Sequence, residues 1–276
     1  MEYNGLQVNI FCGSLFLLLG LGLQICYGDV SYSFPEEMKR GSVIGNIAKD
    51  LGLQVNRLPP RKARIVLEGN RKRYCEINVG TGELVVADRI DREELCGAKI
   101  SCILKCELVL EDPLESHRIS LQIQDINDNP PVFPKDAVKL EIRESAPKGS
   151  RYRINAARDA DIGQNAVQNY ILHKNNYFAL NVLTNSVGTK YSEIMLDREL
   201  DREEQQELTL LLTAVDGGSP QRSGTAVIQI TVLDANDNAP VFSQAVYEAT
   251  LPENSLIDTV VVTVSATDAD EGINGK

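Results

Sequence analysis

Residues 125–133 read DINDNPPVF, and residues 234–242 read DANDNAPVF. Each copy sets two aspartates and two asparagines side by side, then ends in proline and an apolar pair. Hard oxygen donors therefore sit where one strand stops and the next begins. Calcium takes six to eight oxygens from carboxylates, Asn side-chain carbonyls and main-chain carbonyls, and the segment offers all three. One copy alone reads as an Asx-rich, proline-terminated turn. Two copies, a domain's length apart, read as cation chemistry at a domain junction.

Other words keep almost the same interval. DRE at Asp91–Glu93 returns at Asp201–Glu203, whereas the DRE at Asp197–Glu199 fits the spacing less well. Glu36 in FPEE, Glu144 in IRES and Glu253 in LPEN follow in the same rhythm, and DAD at Asp159–Asp161 returns at Asp268–Asp270. A period of that length is a domain, not a solenoid unit. The chain divides into a signal peptide at 1–28, whole repeats at 29–133 and 134–242, and the start of a third at 243–276. That last piece contains no cysteine. It is too short to bury a core alone, so Lys276 reads either as the point where a longer protein has been cut or as the end of an unusual product.

The formal net charge of −11 excludes a basic nucleic-acid surface. Much of the acid lies in the repeated words, where bound cations are expected to balance it. There is no tryptophan, and aromatics make up 5% of the chain, which leaves the core to Val, Ile and Leu in short strands. Residues 10–25 are nearly unbroken apolar sequence before Cys26-Tyr27-Gly28. That run falls short of the roughly twenty residues of a membrane span and fits a secretory signal. The mature chain is expected to be extracellular, secreted as written, with any membrane attachment in C-terminal sequence beyond it.

Of six cysteines, Cys12 and Cys26 would leave with the signal. In an oxidising compartment Cys96 and Cys102 are expected to close a small disulfide loop. Alternation places Cys75 inward with Ile77 and Val79, and Cys106 inward with Leu104, Leu108 and Leu110. These two form a second disulfide or remain buried thiols. No Asn-x-Ser/Thr sequon occurs, so N-glycosylation is not expected.

Alternating runs mark strands at Val30–Phe34, Arg64–Leu67, Tyr74–Val79, Leu84–Ala87, Ile100–Leu110 and Arg118–Ile126, with Gly80-Thr81-Gly82 as a hairpin turn. Gly41–Leu53 mixes apolar residues with Gly at turn-like intervals. The second repeat offers Val138–Ile142, Asn169–Leu172, Phe178–Val182, Glu193–Leu196, Leu208–Ala214 and Thr225–Leu233. About seven short strands per repeat give an all-β chain of tandem seven-stranded Greek-key, immunoglobulin-like sandwiches in series, with little helix.

The polar words then fall at strand ends. Residues near the repeat start, the DRE and the linker gather at the bottom of one sandwich, and DAD and the DGG aspartate gather at the top of the next. The first junction is expected to join Glu36, Asp91, Glu93, Asp125, Asp128, Asp159, Asp161 and Asp216. Eight close negative charges repel without metal, so calcium is expected to turn a flexible hinge into a stiff rod.

These words (PEE or LPEN, LDRE, DxNDNxPxF, DAD and AVDGG) resemble cadherin repeats over the whole mature chain. SFPEEMKRGSVIGNIAKDLGL, GELVVADRIDREELC and the C-x₅-C loop make the first repeat similar to that of the clustered protocadherins. The resemblance implies seven-stranded repeats with Ca²⁺ at each junction and calcium-dependent homophilic cell–cell adhesion, with identical or closely related protocadherin ectodomains as partners. It adds Asn127, Asn129 and Asn165 to the first site. At the second it implies Glu144, Asp201, Glu203, Asp234, Asn236, Asp237, Asn238, Asp268, Asp270 and Asn274. The counterpart of Asp216 would lie beyond Lys276, so weaker binding is expected there. Protocadherins of this kind pair antiparallel through four repeats, of which two are whole here. The lack of Trp excludes strand exchange.

A second reading is a secreted fragment that competes with the full-length receptor. A third, a two-carboxylate hydrolase, lacks a nucleophile–base pair, since His117 and His173 are the only histidines. DADEGINGK is not an EF-hand loop, because Gly272 stands where Asp or Asn is needed. The basic runs Lys39-Arg40 and Arg71-Lys72-Arg73 read as surface loops.

Overall fold

The computed structural model describes residues 29–69 and 72–276. The signal segment, with Cys12 and Cys26, lies outside the described residues, as does Arg71. Two compact units are present, the first ending at Ile126 and the second running from Asn127 to Lys276.

In the first unit, β1 (Val30–Pro35), β7 (Glu115–Gln124), β6 (Cys102–Leu110) and β3 (Arg64–Leu67) form one sheet in that order, and β2 (Val43–Gly45), β5 (Glu83–Val86) and β4 (Cys75–Asn78) form the other. β1 runs parallel to β7, and every other pair is antiparallel. The sequence dictates the sides. In β7 the residues Ile119, Leu121 and Ile123 are buried, while Arg118, Gln122 and Gln124 between them are not. They meet Cys75 and Leu84 from the facing sheet within one core.

Four local readings change. Val79 does not continue the inward face of Cys75, because β4 ends at Asn78 and the turn exposes it. Within Gly41–Leu53 lies a one-turn helix, α1 (Ile47–Asp50), capped by the Asn46 side chain accepting from the Lys49 amide at 3.0 Å. Asp91 is not at a strand end; its Oδ1 accepts the Glu94 amide at 2.9 Å and starts α2 (Arg92–Cys96). Helices this short show no 3.6-residue period. Their caps are the readable signal. The fourth change is a strand in the second unit, described below. Gly82, at φ +78° in the β4–β5 turn, would place a Cβ 2.4 Å from that of Ala48 in α1, so only glycine fits where helix and hairpin meet.

Cys96 and Cys102 are joined by a disulfide that closes the loop between α2 and β6. Cys75 and Cys106 are buried free thiols. A hydrogen bond to Cys106, reinforced by burial, pushes the Cys75 thiol well up. Both act as small core residues.

The second unit repeats the plan. β10 (Val167–Leu172), β13 (Glu207–Asp216), β14 (Ser223–Leu233) and β8 (Ala137–Arg143) form one sheet, and β11 (Phe178–Thr184), β12 (Lys190–Leu196) and β9 (Arg151–Ile154) the other. β8 is again parallel to its neighbour, β14. β9 is the strand missing from the sequence reading. Its four residues, RYRI, alternate, with Ile154 buried and Tyr152 packed partly buried against the core, but a run this short carries little periodicity, and its pairing with β12 makes it a strand. Farther on, β15 (Val241–Phe242) pairs with β16 (Ala266–Thr267).

The second core holds one irregularity. Ser192 is completely buried, and its Oγ has no hydrogen-bond partner among the described residues. An unpaired buried hydroxyl costs about 1–3 kcal/mol. Ser192→Ala is expected to raise stability by about 1 kcal/mol, read as a denaturation midpoint moved upward with unchanged slope.

Candidate metal centre

The organising feature is a buried glutamate just past the first strand of each unit. Glu36 follows β1 and is 3% exposed. Its Oε2 accepts the Arg92 amide at 2.5 Å and its Oε1 accepts the Ile126 amide at 3.2 Å. One carboxylate thereby ties the strand end to the DRE helix and to the DINDN segment. Arg92 adds the next link, its Nη1 lying 3.0 Å from Glu93 and 3.2 Å from Asp125. Glu36, Asp91, Glu93 and Asp125 thus share one end of the first unit.

The second unit builds the same clamp one period later. Glu144, 4% exposed, accepts the Arg202 amide at 2.6 Å and the Ala235 amide at 2.7 Å. Asp201 accepts the Glu204 amide at 2.9 Å, as Asp91 does in its own helix cap. Arg202 Nη1 lies 3.7 Å from Asp234. Oxygens of Glu144, Glu203 and Asp237 lie within 4.8 Å of one another, as do oxygens of Glu203, Asp234 and Asp270. The earlier DRE takes no part; Asp197 pairs with Lys148 at 3.3 Å.

The DAD words are held identically in both copies. Asn129 donates its amide to Asp161 at 3.2 Å and its side chain at 2.8 Å, while the Asp161 amide donates to Asp159 at 3.2 Å. Asn238 donates to Asp270 at 3.2 and 2.8 Å, and the Asp270 amide donates to Asp268 at 3.1 Å. The neighbouring Asp128 and Asp237 accept from the same two Asn side chains. Asn274 donates to Asp234 at 2.8 Å. Asn165 lies in the turn after Asp161, its amide donating to the Ile162 carbonyl at 3.1 Å.

Asp216, at the end of β13, is 1% exposed and accepts the Gly218 amide at 3.1 Å and the Arg222 amide at 3.0 Å. Arg222 Nε also donates to the Asn127 carbonyl at 2.9 Å, and Asn127 Nδ2 donates to the Pro220 carbonyl at 2.6 Å. Asn127 Oδ1 is left buried with no hydrogen-bond partner among the described residues. Asn236, its counterpart, is exposed and makes no hydrogen bond among the described residues. A Cβ on Gly218 would lie 2.2 Å from Asn127 Nδ2. Gly218→Ala is therefore expected to displace Asn127 and cost about 1–3 kcal/mol by overpacking, seen as a lowered unfolding midpoint.

Crowded acid sets the electrostatics. Burial, with the Glu93 charge added, pushes Glu36 from 4.5 up to about 7 against the pull of its two amide donors. Desolvation and the charge of Glu144 also hold Glu203 and Asp237 above the ordinary carboxylate range, with Asp270 and Asp201 adding to the effect at Asp237. Such groups gain from a cation. Carboxylate and amide oxygens without His or Cys suit a hard divalent ion, and the orphaned Asn127 oxygen is a donor of the same kind. The residues fit Ca²⁺.

Two family models match the chain, one described as cadherin-like over residues 29–112 and one as the cadherin domain over residues 139–233. Human protocadherin gamma-C3 is 48% identical over 95% of this chain. The chain belongs to the cadherin family. Human protocadherin beta-1 is also 48% identical over 95% of the chain. The cadherin chain spans 28% of the length of protocadherin gamma-C3 and 32% of protocadherin beta-1. Among solved structures, the EC1-3 segment of mouse clustered PcdhgC3 is 49% identical with a TM-score of 0.86, matched over 89% of this chain and 78% of that one. Protocadherin gamma C5 EC1-3 is 44% identical with a TM-score of 0.84, over 90% and 79%. Family members are adhesion proteins, not enzymes, and both units are all-β sandwiches of this kind. Among the described residues no helix is long and apolar enough to cross a membrane.

The arginine of these cadherin DRE words is absent from any set chosen for metal ligands alone. Arg92 and Arg202 are nonetheless cations set against the carboxylates, and their recurrence at the domain interval was the available signal.

Proposed function

We propose that this chain is a calcium-binding part of an adhesion receptor ectodomain, and that it recognises identical or closely related protocadherin ectodomains. The observation that carries the calcium reading is the duplicated glutamate clamp. Two buried carboxylates, Glu36 and Glu144, organise the same acidic words in the same way one domain apart. The ions are assigned to Glu36, Asp91, Glu93, Asp125, Asn127, Asp128, Asn129, Asp159, Asp161, Asn165 and Asp216, and to the counterparts Glu144, Asp201, Glu203, Asp234, Asn236, Asp237, Asn238, Asp268, Asp270 and Asn274. The repeats are assigned to 29–133 and 134–242. The parent protein acts outside the cell at the plasma membrane. Calcium bound there neutralises carboxylates that otherwise repel, and the protein's own groups contribute position, with the amides of Arg92, Ile126, Arg202 and Ala235 orienting the two glutamates.

Sedimentation equilibrium of the whole chain, in about 1 mM Ca²⁺ and again in chelator, tests recognition, with calorimetric Ca²⁺ titration run alongside. Self-association confined to calcium is the expected result. A monomer under both conditions would overturn self-recognition by this segment, and a flat titration would overturn the calcium reading. Extracellular calcium modules bind at roughly 10⁻⁴–10⁻³ M, which sets the range to titrate.

A further inference from the structure

Arg92 is 1% exposed, an unusual place for a guanidinium. It donates through Nη1 to the Gly97 carbonyl at 3.4 Å and through Nη2 to the Lys99 carbonyl. Both carbonyls belong to the loop closed by the Cys96–Cys102 disulfide. The same Nη1 also lies 3.0 Å from Glu93 and 3.2 Å from Asp125. A single buried side chain therefore connects the disulfide loop to two carboxylates assigned to calcium. Arg202 makes the corresponding approach to Asp234, but its other partner is the Glu271 carboxylate, and its side chain is 12% exposed.

We propose that Arg92 is a positioning residue for the Glu93 and Asp125 carboxylates, and that the Cys96–Cys102 loop is the anchor from which it holds them. The inference rests on the calcium reading above. A guanidinium is a planar fork with donors in fixed directions. The Lys99 carbonyl takes Nη2 and the Gly97 carbonyl takes one hydrogen of Nη1, so the plane of the guanidinium and the direction of the other Nη1 hydrogen, which faces Glu93 and Asp125, are fixed too. A carboxylate with one oxygen pinned has its plane set, and the bearing of its second oxygen follows before any ion arrives. Ligands oriented in advance bind metal more tightly, and removing such an outer partner costs about 10–100-fold in affinity. Arg92 is also a positive charge beside a proposed cation site. If charge were all that mattered, removing it would tighten binding. The sign of the change separates the two roles.

The test is calorimetric Ca²⁺ titration of the whole chain as wild type, Arg92→Met, Arg92→Lys and the double variant Cys96→Ser/Cys102→Ser, with circular dichroism in chelator to establish folding. Arg92→Met keeps the apolar stem and is expected to weaken a subset of the bound ions by about 10–100-fold. Arg92→Lys is expected to remain weak, because an ammonium on a flexible stem cannot hold two carbonyls and two carboxylates in one plane. The double serine variant is expected to weaken the same ions in the same direction. A folded Arg92→Met chain that binds with wild-type affinity, or more tightly, would overturn the positioning role. If that variant does not fold, wild-type affinity in folded Arg92→Lys would do so. Unchanged affinity in a folded double serine chain would overturn the loop as anchor. A wild-type chain that takes up no calcium defeats the parent reading and this one together, and the wild-type titration alone reveals it.

Discussion

Glu144→Ala is expected to weaken calcium uptake by about two orders of magnitude or more, and to destabilise the second unit even in chelator. Outer partners of a metal site are worth about 10–100-fold, and Glu144 is both a proposed ligand and the residue that orients others. Its oxygens lie with those of Glu203 and Asp237 within 4.8 Å. Truncation also orphans the amides of Arg202 and Ala235, which it accepts at 2.6 and 2.7 Å. Each unsatisfied buried donor costs about 1–3 kcal/mol, so a loss of about 2–6 kcal/mol follows without metal. Glu144→Gln separates the two effects. It keeps an acceptor for one amide and removes the charge, so most of the fold stability remains while calcium affinity falls. It also removes a charge that holds Glu203 and Asp237 above the ordinary range, so both carboxyls are expected to titrate lower when followed by NMR in chelator. Wild-type calcium affinity in Glu144→Ala, with the fold intact, would remove Glu144 from the site.

The contrast between Glu144 and Arg92 shows what the sequence made legible. Glu144 was visible because acid at a repeated position has an obvious chemical use, and the strand it follows alternates cleanly. The second-unit strand Arg151–Ile154 was not visible. Its partner β12 makes it a strand, since the run is four residues long and only Ile154 is fully buried. The two short helices were hidden for a related reason, since one turn carries no period and only the Asn46 and Asp91 caps mark it. Arg92 stayed hidden because a lone Arg in an acidic word reads as a solvated charge. Its burial depends on Gly97 and Lys99, loop carbonyls that no side-chain motif records. The thiols of Cys75 and Cys106 could be placed inward from alternation, but their remaining unbonded is settled by three-dimensional placement.

Removing calcium is expected to destabilise the chain more at pH 8 than at pH 5. With millimolar calcium and sites of about 10⁻⁴–10⁻³ M, each ion adds about 0.4–1.4 kcal/mol by mass action. Several ions together shift thermal unfolding by roughly 10 °C, at about 2–4 °C per kcal/mol for a chain of this size. The pH dependence follows from Glu36. Its folded pKa stands at about 7, above the ordinary 4.5. The folded chain therefore holds a proton there that the unfolded chain has released. The associated stability is fully present below about 4.5 and is lost as pH rises through about 7. One pKa unit corresponds to about 1.4 kcal/mol, and solvent screening reduces the whole effect to on the order of 1–2 kcal/mol. Asp88, held down by the Arg89 amide, and Glu111, held down by Arg64 and Lys62, titrate in the opposite sense, so the comparison must be with Glu36→Gln. In chelator that variant is expected to match wild type at pH 5 and exceed it at pH 8. In calcium the order reverses at pH 8, because the ion needs the ionised carboxylate that glutamine cannot supply. Scanning calorimetry of both chains, at both pH values and in both buffers, reads all the differences. A calcium increment independent of pH, or a Glu36→Gln chain that follows wild type throughout, would mean that Glu36 neither repels its neighbours without metal nor serves the ion with it.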